Sequence, residues 1–333
     1  MTRSRGTSGI PIALLVAAAA LAGCVGDIGD KDTDGPGSTE DPLCEGVQPG
    51  ATYARRLTKV QYESTVRDIF GATIDPGTTF PVTDLEDGFR TNIAANVVTS
   101  DGAEGIEASA VLVSQQLTGD LIGFVGCDPA TEGETCVRPF VDRIGERLFR
   151  RPLLQDESDR LTALYDTILA TEGATARHGI EAIVQAMLQS PQFLYLAEIG
   201  DPGAPGEVVT LTGHEVASRL SYLLWNTTPD AELLALASDG SLDDSAVLEA
   251  QARRLLADPR SDAVVIAFFE DLLELQRLAN PKDPEAYPGW TPEVTLAAHD
   301  ETGAFVRWVV RDADRTLRTL LTSSTTVANG PLA

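Results

Sequence analysis

Histidine is nearly absent from this chain. It contains His178, His214 and His299 and no other. The three fall on separate expected helices, and none has a second His or a Cys at metal-ligand spacing. Surface and helix-start positions account for them; His299-Asp300-Glu301 brings an imidazole beside two carboxylates in sequence, but adjacent helical residues point in different directions. Basic residues are also scarce, 25 Lys and Arg against 50 Asp and Glu, for a net charge of −25. That field repels nucleic-acid phosphates, so no nucleic-acid partner is expected. The chain has no Gly-x-Ser-x-Gly elbow, no His-Glu-x-x-His and no phosphate-cradling glycine loop, which removes the motif-based routes to several enzyme classes while leaving catalysis open. Carboxylate pairs for glycoside hydrolysis are not selectable from 50 acids without geometry. No Cys-x-x-Cys-His is present, so covalent c-type haem has no attachment point. No cofactor and no metal is assigned.

Long apolar runs are missing as well. The longest, Ile12 to Leu21, is about half of the ~20 residues a spanning helix needs. Arg3 and Arg5 precede it and small residues follow it, which together make a secretory signal over residues 1–23. Leu21-Ala22-Gly23-Cys24 resembles the lipobox of bacterial lipoproteins; that resemblance implies cleavage before Cys24 and acylation of its sulfur, with several acyl chains giving stable attachment. Val25 is unlike the aspartate associated with inner-membrane retention in enteric bacteria. A lipid-anchored envelope location follows, outer membrane favoured over inner. Removing residues 1–23 takes two arginines and no acid, so the charge moves from −25 to −27.

Export makes disulfides available to the four cysteines. Cys127 and Cys136 enclose Asp128 to Thr135 and are expected to be bridged, a closure worth on the order of 3 kcal/mol in the chain-entropy model. Cys44 is left without an assigned partner.

The fold class is mainly α: helical globular domains after a disordered acidic tether. The tether, 24–50, is Asp, Gly, Pro, Ser and Thr with few apolar residues. Asp30, Asp32, Asp34, Gly35 and Asp41 partly match a calcium loop, but Pro36-Gly37 replaces the apolar clamp and Asp41 the longer Glu, so a solvated spacer is the preferred reading. Thr58 with Gln61 makes a capping box for a helix that stops at Gly71. A second helix is expected over about 103–121 behind Asp101, with 72–100 as loop. Helices follow over about 138–149, 155–172 and 174–189, the last closed by Ser190-Pro191. Gly200 to Gly206 is the best linker. Thr212 and Glu215 form another capping box, followed by periodic runs near 230–238, 244–257 and 260–276; Thr291-Pro292 opens a helix to about Arg311, and a short one lies near 315–322.

Three of these segments resemble a known family. Arg56-Leu57-Thr58-Lys59-Val60-Gln61-Tyr62 through Gly71 resembles the opening domain of the planctomycete-specific domains, a family of exported proteins of unknown function found in planctomycetes and myxobacteria. Arg147-Leu148-Phe149-Arg150-Arg151-Pro152-Leu153, continuing to Gln189-Ser190-Pro191-Gln192-Phe193-Leu194-Tyr195, resembles a second domain of that architecture, and Leu211 to Trp225 and onward a third. The expected divisions are 51–125, 137–200 and 207–333. Relatives carry further domains, some fused to c-type cytochromes, so the resemblance implies a third domain incomplete at its C-terminus and a missing region. It carries over no catalytic residues.

Arg143, Arg147, Arg150 and Arg151 cluster around one helix end against the overall charge. Cations there complement the helix dipole, and they are candidate anion or partner contacts as well as candidates for internal pairing. Trp225, Trp290 and Trp308 are read as core or half-buried rather than sugar-stacking. Two functions are weighed. One is a binding or scaffolding lipoprotein of an envelope redox or polysaccharide-processing system, with envelope protein or cytochrome partners; the other is an oxidative or hydrolytic envelope enzyme. Oligomeric state is not fixed by the sequence.

Overall fold

The computed structural model describes residues 54–82, 89–92, 97–200, 208–328 and 330–332. The signal segment, Cys24, the tether with its calcium-like aspartates, Cys44 and most of the Gly200–Gly206 linker lie outside those residues. What is described is mainly α, as the periodicity requires.

The first core begins with α1 (Lys59–Phe70), which starts as its capping box dictates: the Gln61 N–H donates to Thr58 Oγ1, and Gln61 Oε1 accepts the Thr58 N–H. Gly71, at φ 116°, ends it. Helix α2 (Ser100–Leu117) is capped by Thr99 rather than by Asp101. Thr99 Oγ1 accepts the Gly102 N–H, which leaves Asp101 in the first turn, where its charge suits the helix dipole. Two short helices follow, α3 (Leu121–Val125) and α4 (Pro129–Glu132). Helix α5 (Glu134–Phe149) starts a turn earlier than its periodicity suggests and carries Pro139 inside it. Its first turn holds Cys136, which is bonded to Cys127.

Helices α6 (Gln155–Leu169) and α7 (Ala176–Leu188) pack closely because Gly179 admits the Tyr165 ring, whose hydroxyl donates to the Pro129 carbonyl at 2.7 Å. A one-turn helix, α8 (Pro191–Leu194), leads into the antiparallel ribbon of β1 (Arg55–Arg56) and β2 (Tyr195–Leu196), with Arg55 opposite Leu196 and Arg56 opposite Tyr195. This ribbon ties the start of the described chain to the end of the α5–α8 group. The fully buried side chains Tyr62, Val113, Phe140, Leu148, Ile180, Ile183 and Met187 belong to one continuous core. Tyr62 stacks on Phe80 with centroids 4.0 Å apart and bonds Ser109 through its hydroxyl; burial pushes that phenol up to about 12.

A smaller core joins α9 (Gly213–Leu224), α10 (Ala231–Ser238) and α11 (Ser245–Ala257) around Ala217, Trp225 and Leu233. Trp225 is buried: its Nε1–H donates to the Leu255 carbonyl, and the Arg260 guanidinium lies 3.4 Å from the ring centroid. Helix α12 (Arg260–Leu272), a 3-10 turn, α13 (Pro292–Arg311) and α14 (Leu317–Thr322) complete the described fold. No described helix is long and apolar enough to cross a membrane.

Candidate functional site

A cleft of about 1130 Å³ opens where the ribbon, α9 and α12 meet. That is slightly above the ~300–1,000 Å³ typical of ligand sites. Its construction begins with Glu215. The carboxylate closes the α9 capping box by accepting the Thr212 N–H at 2.8 Å, and it also accepts the N–H of Ile199 at 2.7 Å and of Gly200 at 3.1 Å. Burial would raise the pKa of this acid, but the backbone donors outweigh it and hold the group below its ordinary value. Glu215 thereby fastens the segment following β2 against α9 and makes one wall of the cleft.

Beside that wall, Arg219 grips Glu198 through two guanidinium nitrogens. Arg55, from β1, is half-buried in the cleft lining and donates to Gln61 Oε1 at 3.2 Å. Burial pulls its guanidinium below its ordinary pKa, against attraction from Glu198 and from Tyr222. Gln61 in turn donates to Asn226 Oδ1 at 3.1 Å. Asn226 sits just past α9 at φ 54°, a left-handed conformation that Asn tolerates better than most residues. Apolar side chains also line the cleft, Leu224, Val264, Val265 and Ala267 among them. Phe268 lines it too, is 49 % exposed and stacks on Phe89 with centroids 5.7 Å apart. Leu223, also in the lining, is 63 % exposed. Asp271, at the end of α12, forms an ion pair with Arg90 at 2.6 Å.

The four arginines singled out in the sequence have separate structural tasks. Arg143 donates to the carbonyls of Phe124 and Val125 at the end of α3. Arg147 donates to those of Asp68 and Ile69 at the end of α1, while its own carbonyl accepts from Thr228. They serve the C-terminal dipoles of neighbouring helices. Arg150 is buried and donates to four carbonyls, those of Leu148, Gln192, Phe193 and Tyr195. Arg151 holds Glu157 bidentately at 2.8 Å on both arms. Of the four, Arg150 and Arg151 border the cleft.

The histidines do not converge. His178 completes the cap of α7 by accepting the Thr175 N–H at its Nδ1. His214 borders the cleft with Nε2 3.3 Å from Ser238 Oγ, and burial lowers its pKa. His299 meets Glu270 of α12 at 3.2 Å, a partner from another helix rather than the neighbouring Asp300 or Glu301. Among the described residues no group of three or more His, Cys, Asp or Glu side chains is placed to hold a metal ion. Arg55, Gln61 and Asn226 are the site residues that sequence reasoning missed. They belong to elements 165 positions apart, and the only local sign was a pair of arginines ahead of the first capping box.

Residues 55–119, 136–198 and 211–333 match three family models described respectively as proteins of unknown function DUF1587, DUF1595 and DUF1592, the third, fifth and fourth planctomycete-specific domains. The chain belongs to this planctomycete-specific family. No curated protein matches the chain, and no solved structure does. The cleft draws on all three family segments: Arg55 and Gln61 from the first, Arg150 and Tyr195 from the second, and α9 and α12 from the third. The matched segments also meet beneath it, where Thr227 donates to Asp68 at 3.2 Å and Thr228 to the Arg147 carbonyl at 2.9 Å.

Proposed function

We propose that this protein is an exported, lipid-anchored binding component of an envelope assembly, with the cleft as its recognition site. The observation that carries the reading is the cleft itself, assembled from all three family segments yet with its carboxylates committed to the protein: Glu215 to backbone N–H groups, Glu198 to Arg219 and Asp271 to Arg90. A general acid or base has to reach a substrate proton, and groups held in this way are placed to fix walls instead. The apolar part of its lining, with Phe268 and Leu223 left partly in water, favours capture of something that covers them.

The arginine-flanked apolar leader and Leu21-Ala22-Gly23-Cys24 support anchoring through Cys24 at the outer membrane. An envelope redox or polysaccharide-processing system is the proposed setting, with an envelope protein or cytochrome as neighbour.

Two measurements test this reading. Mass spectrometry of the N-terminal peptide from the native host should find Cys24 acylated, and Cys24→Ser should release the protein from the membrane fraction. A photo-crosslinking amino acid at Leu223 should capture a molecule in the living cell that the same probe at Ile122, exposed and remote from the cleft, does not. Equal capture at both positions would remove the cleft from the account, and an unmodified Cys24 would remove the anchor.

A further inference from the structure

We infer that the cleft takes an anionic amphiphile, a small molecule with one acidic head group and an elongated apolar body, a proposal that rests on reading the cleft as a binding site. The head-group end is rich in donors and poor in free acceptors. Arg55 has no carboxylate within ion-pair distance among the described residues, and its one hydrogen bond there, to Gln61, leaves Nε and the second terminal nitrogen unengaged. The Asn226 side-chain amide accepts from Gln61 through oxygen, so its NH₂ group remains a donor. The Tyr195 hydroxyl, also in the lining, makes no hydrogen bond among the described residues.

The acids nearby attract this set through space, Glu198 above all, but give it no hydrogen bond. Glu198 is occupied bidentately by Arg219, and Glu215 is saturated by the donors of Thr212, Ile199 and Gly200. A half-buried guanidinium with free donors is satisfied best by a carboxylate or phosphate oxygen, which forms short charge-assisted bonds with it. A chain carrying 50 acidic residues attracts anions nowhere by its overall field, so capture of one needs a local cation of this kind.

The apolar part of the lining sets the rest of the molecule. Val264, Val265, Ala267 and Phe268 of α12 line the cleft together with Leu223 and Leu224 of α9, and an apolar occupant would bury the exposed parts of Phe268 and Leu223. A compact anion such as sulfate would leave that surface wet. A neutral glycan would offer Arg55 hydroxyl acceptors but no charge-assisted bond, and would leave the apolar lining wet.

Titration calorimetry of the mature protein against dodecanoate and dodecyl phosphate below their critical micelle concentrations, and against dodecanol below its solubility limit, tests the assignment. Dodecanoate or dodecyl phosphate should bind one to one, and whichever is tighter distinguishes a carboxylate from a phosphate head. Dodecanol should bind about tenfold or more weaker. Arg55→Gln should cost a similar factor for the acids and little for the alcohol. Asn226→Asp, which keeps a left-handed-tolerant residue and the acceptor for Gln61, should repel the acids even if Arg55→Gln fails to fold. Phe268→Ser, at an exposed position, should weaken all three ligands. Equal affinity for dodecanol and dodecanoate, or acid binding untouched by Asn226→Asp, overturns the anionic head. Should no amphiphile bind while Leu223 still captures a molecule in cells, the ligand class falls and the binding site stands; if neither is seen, both fall.

Discussion

Arg150 shows how much one side chain can settle. It stands at φ 60° just beyond α5, a left-handed conformation that costs a residue with a Cβ roughly 1–2 kcal/mol and that glycine would adopt freely. Local propensity alone therefore favours Gly. The side chain reverses that preference, because its donations to Leu148, Gln192, Phe193 and Tyr195 satisfy buried carbonyls at the junction of α5, α8 and β2. Hydrogen bonds to charged groups contribute about 1.5–3 kcal/mol each, and orphaned buried acceptors cost a further ~1–3 kcal/mol. Arg150→Gly should accordingly destabilise the protein, by about 2–4 kcal/mol after the relieved backbone strain is credited. Urea unfolding measures it directly. A variant as stable as the parent would mean that the four carbonyls find water instead, and the junction would have to be described as wet.

Elements differ in how plainly the chain announces them. Thr58 with Gln61 and Thr212 with Glu215 were readable because a capping box is a local bargain between residues three apart, and both boxes form where the sequence places them. The Cys127–Cys136 bridge was readable from the short acidic loop that the two cysteines enclose. Asp101 misled as a cap because Thr99 and Asp101 both have capping side chains, and only the backbone turn decides between them; Thr99 has the extended ψ of 172° that an N-cap needs. The cleft was illegible for a different reason. Its head-group end needs β1 beside the turn after α9, and no periodicity or spacing encodes that juxtaposition. Arg151 was visible as one of four clustered arginines, but its partner required the structure. Glu157, in the first turn of α6, accepts the Leu154 N–H at 2.9 Å and both arms of Arg151. The Arg151 hydrogen bonds, aided by the Leu154 N–H, outweigh burial and hold Glu157 below its ordinary pKa. A depressed acid contributes stability that is fully present above its unfolded value, ~4.3, and is lost as pH falls through the folded value. Glu157→Gln should therefore cost about 1–2 kcal/mol at pH 7, allowing for the partial exposure of Arg151. The gap between parent and variant should then shrink as the buffer is taken below pH 4. Unfolding midpoints of the two proteins across pH 7 to 3 give the comparison, and a gap that stays constant would show that the charge on Glu157 is not what stabilises the α6 start.

At the scale of the whole molecule, burial is unevenly spread. Helices α5 and α7 each place a continuous series of side chains in the first core, from Val137 to Phe149 and from Ile180 to Leu188. The 3-10 turn Leu275–Ala279 and α14 have no buried residue at all, and Leu273, Leu296, Leu317 and Leu321 are more than half exposed, with Leu272 at 49 %. Apolar burial contributes roughly 25 cal/mol per Å², so local opening is opposed far more strongly in the first group than in the second. Hydrogen exchange read by mass spectrometry should find the amides of 180–188 protected nearly to the limit of global unfolding. Those of 317–322 should exchange through local opening orders of magnitude sooner. The comparison is made at two protein concentrations because exposed leucines also invite self-association, which would protect the same amides in a concentration-dependent way. Protection of 317–322 equal to that of 180–188 at high dilution would contradict the burial pattern. Protection that appears only on concentration would instead locate an apolar contact surface on α12 to α14, separate from the donor-rich end of the cleft.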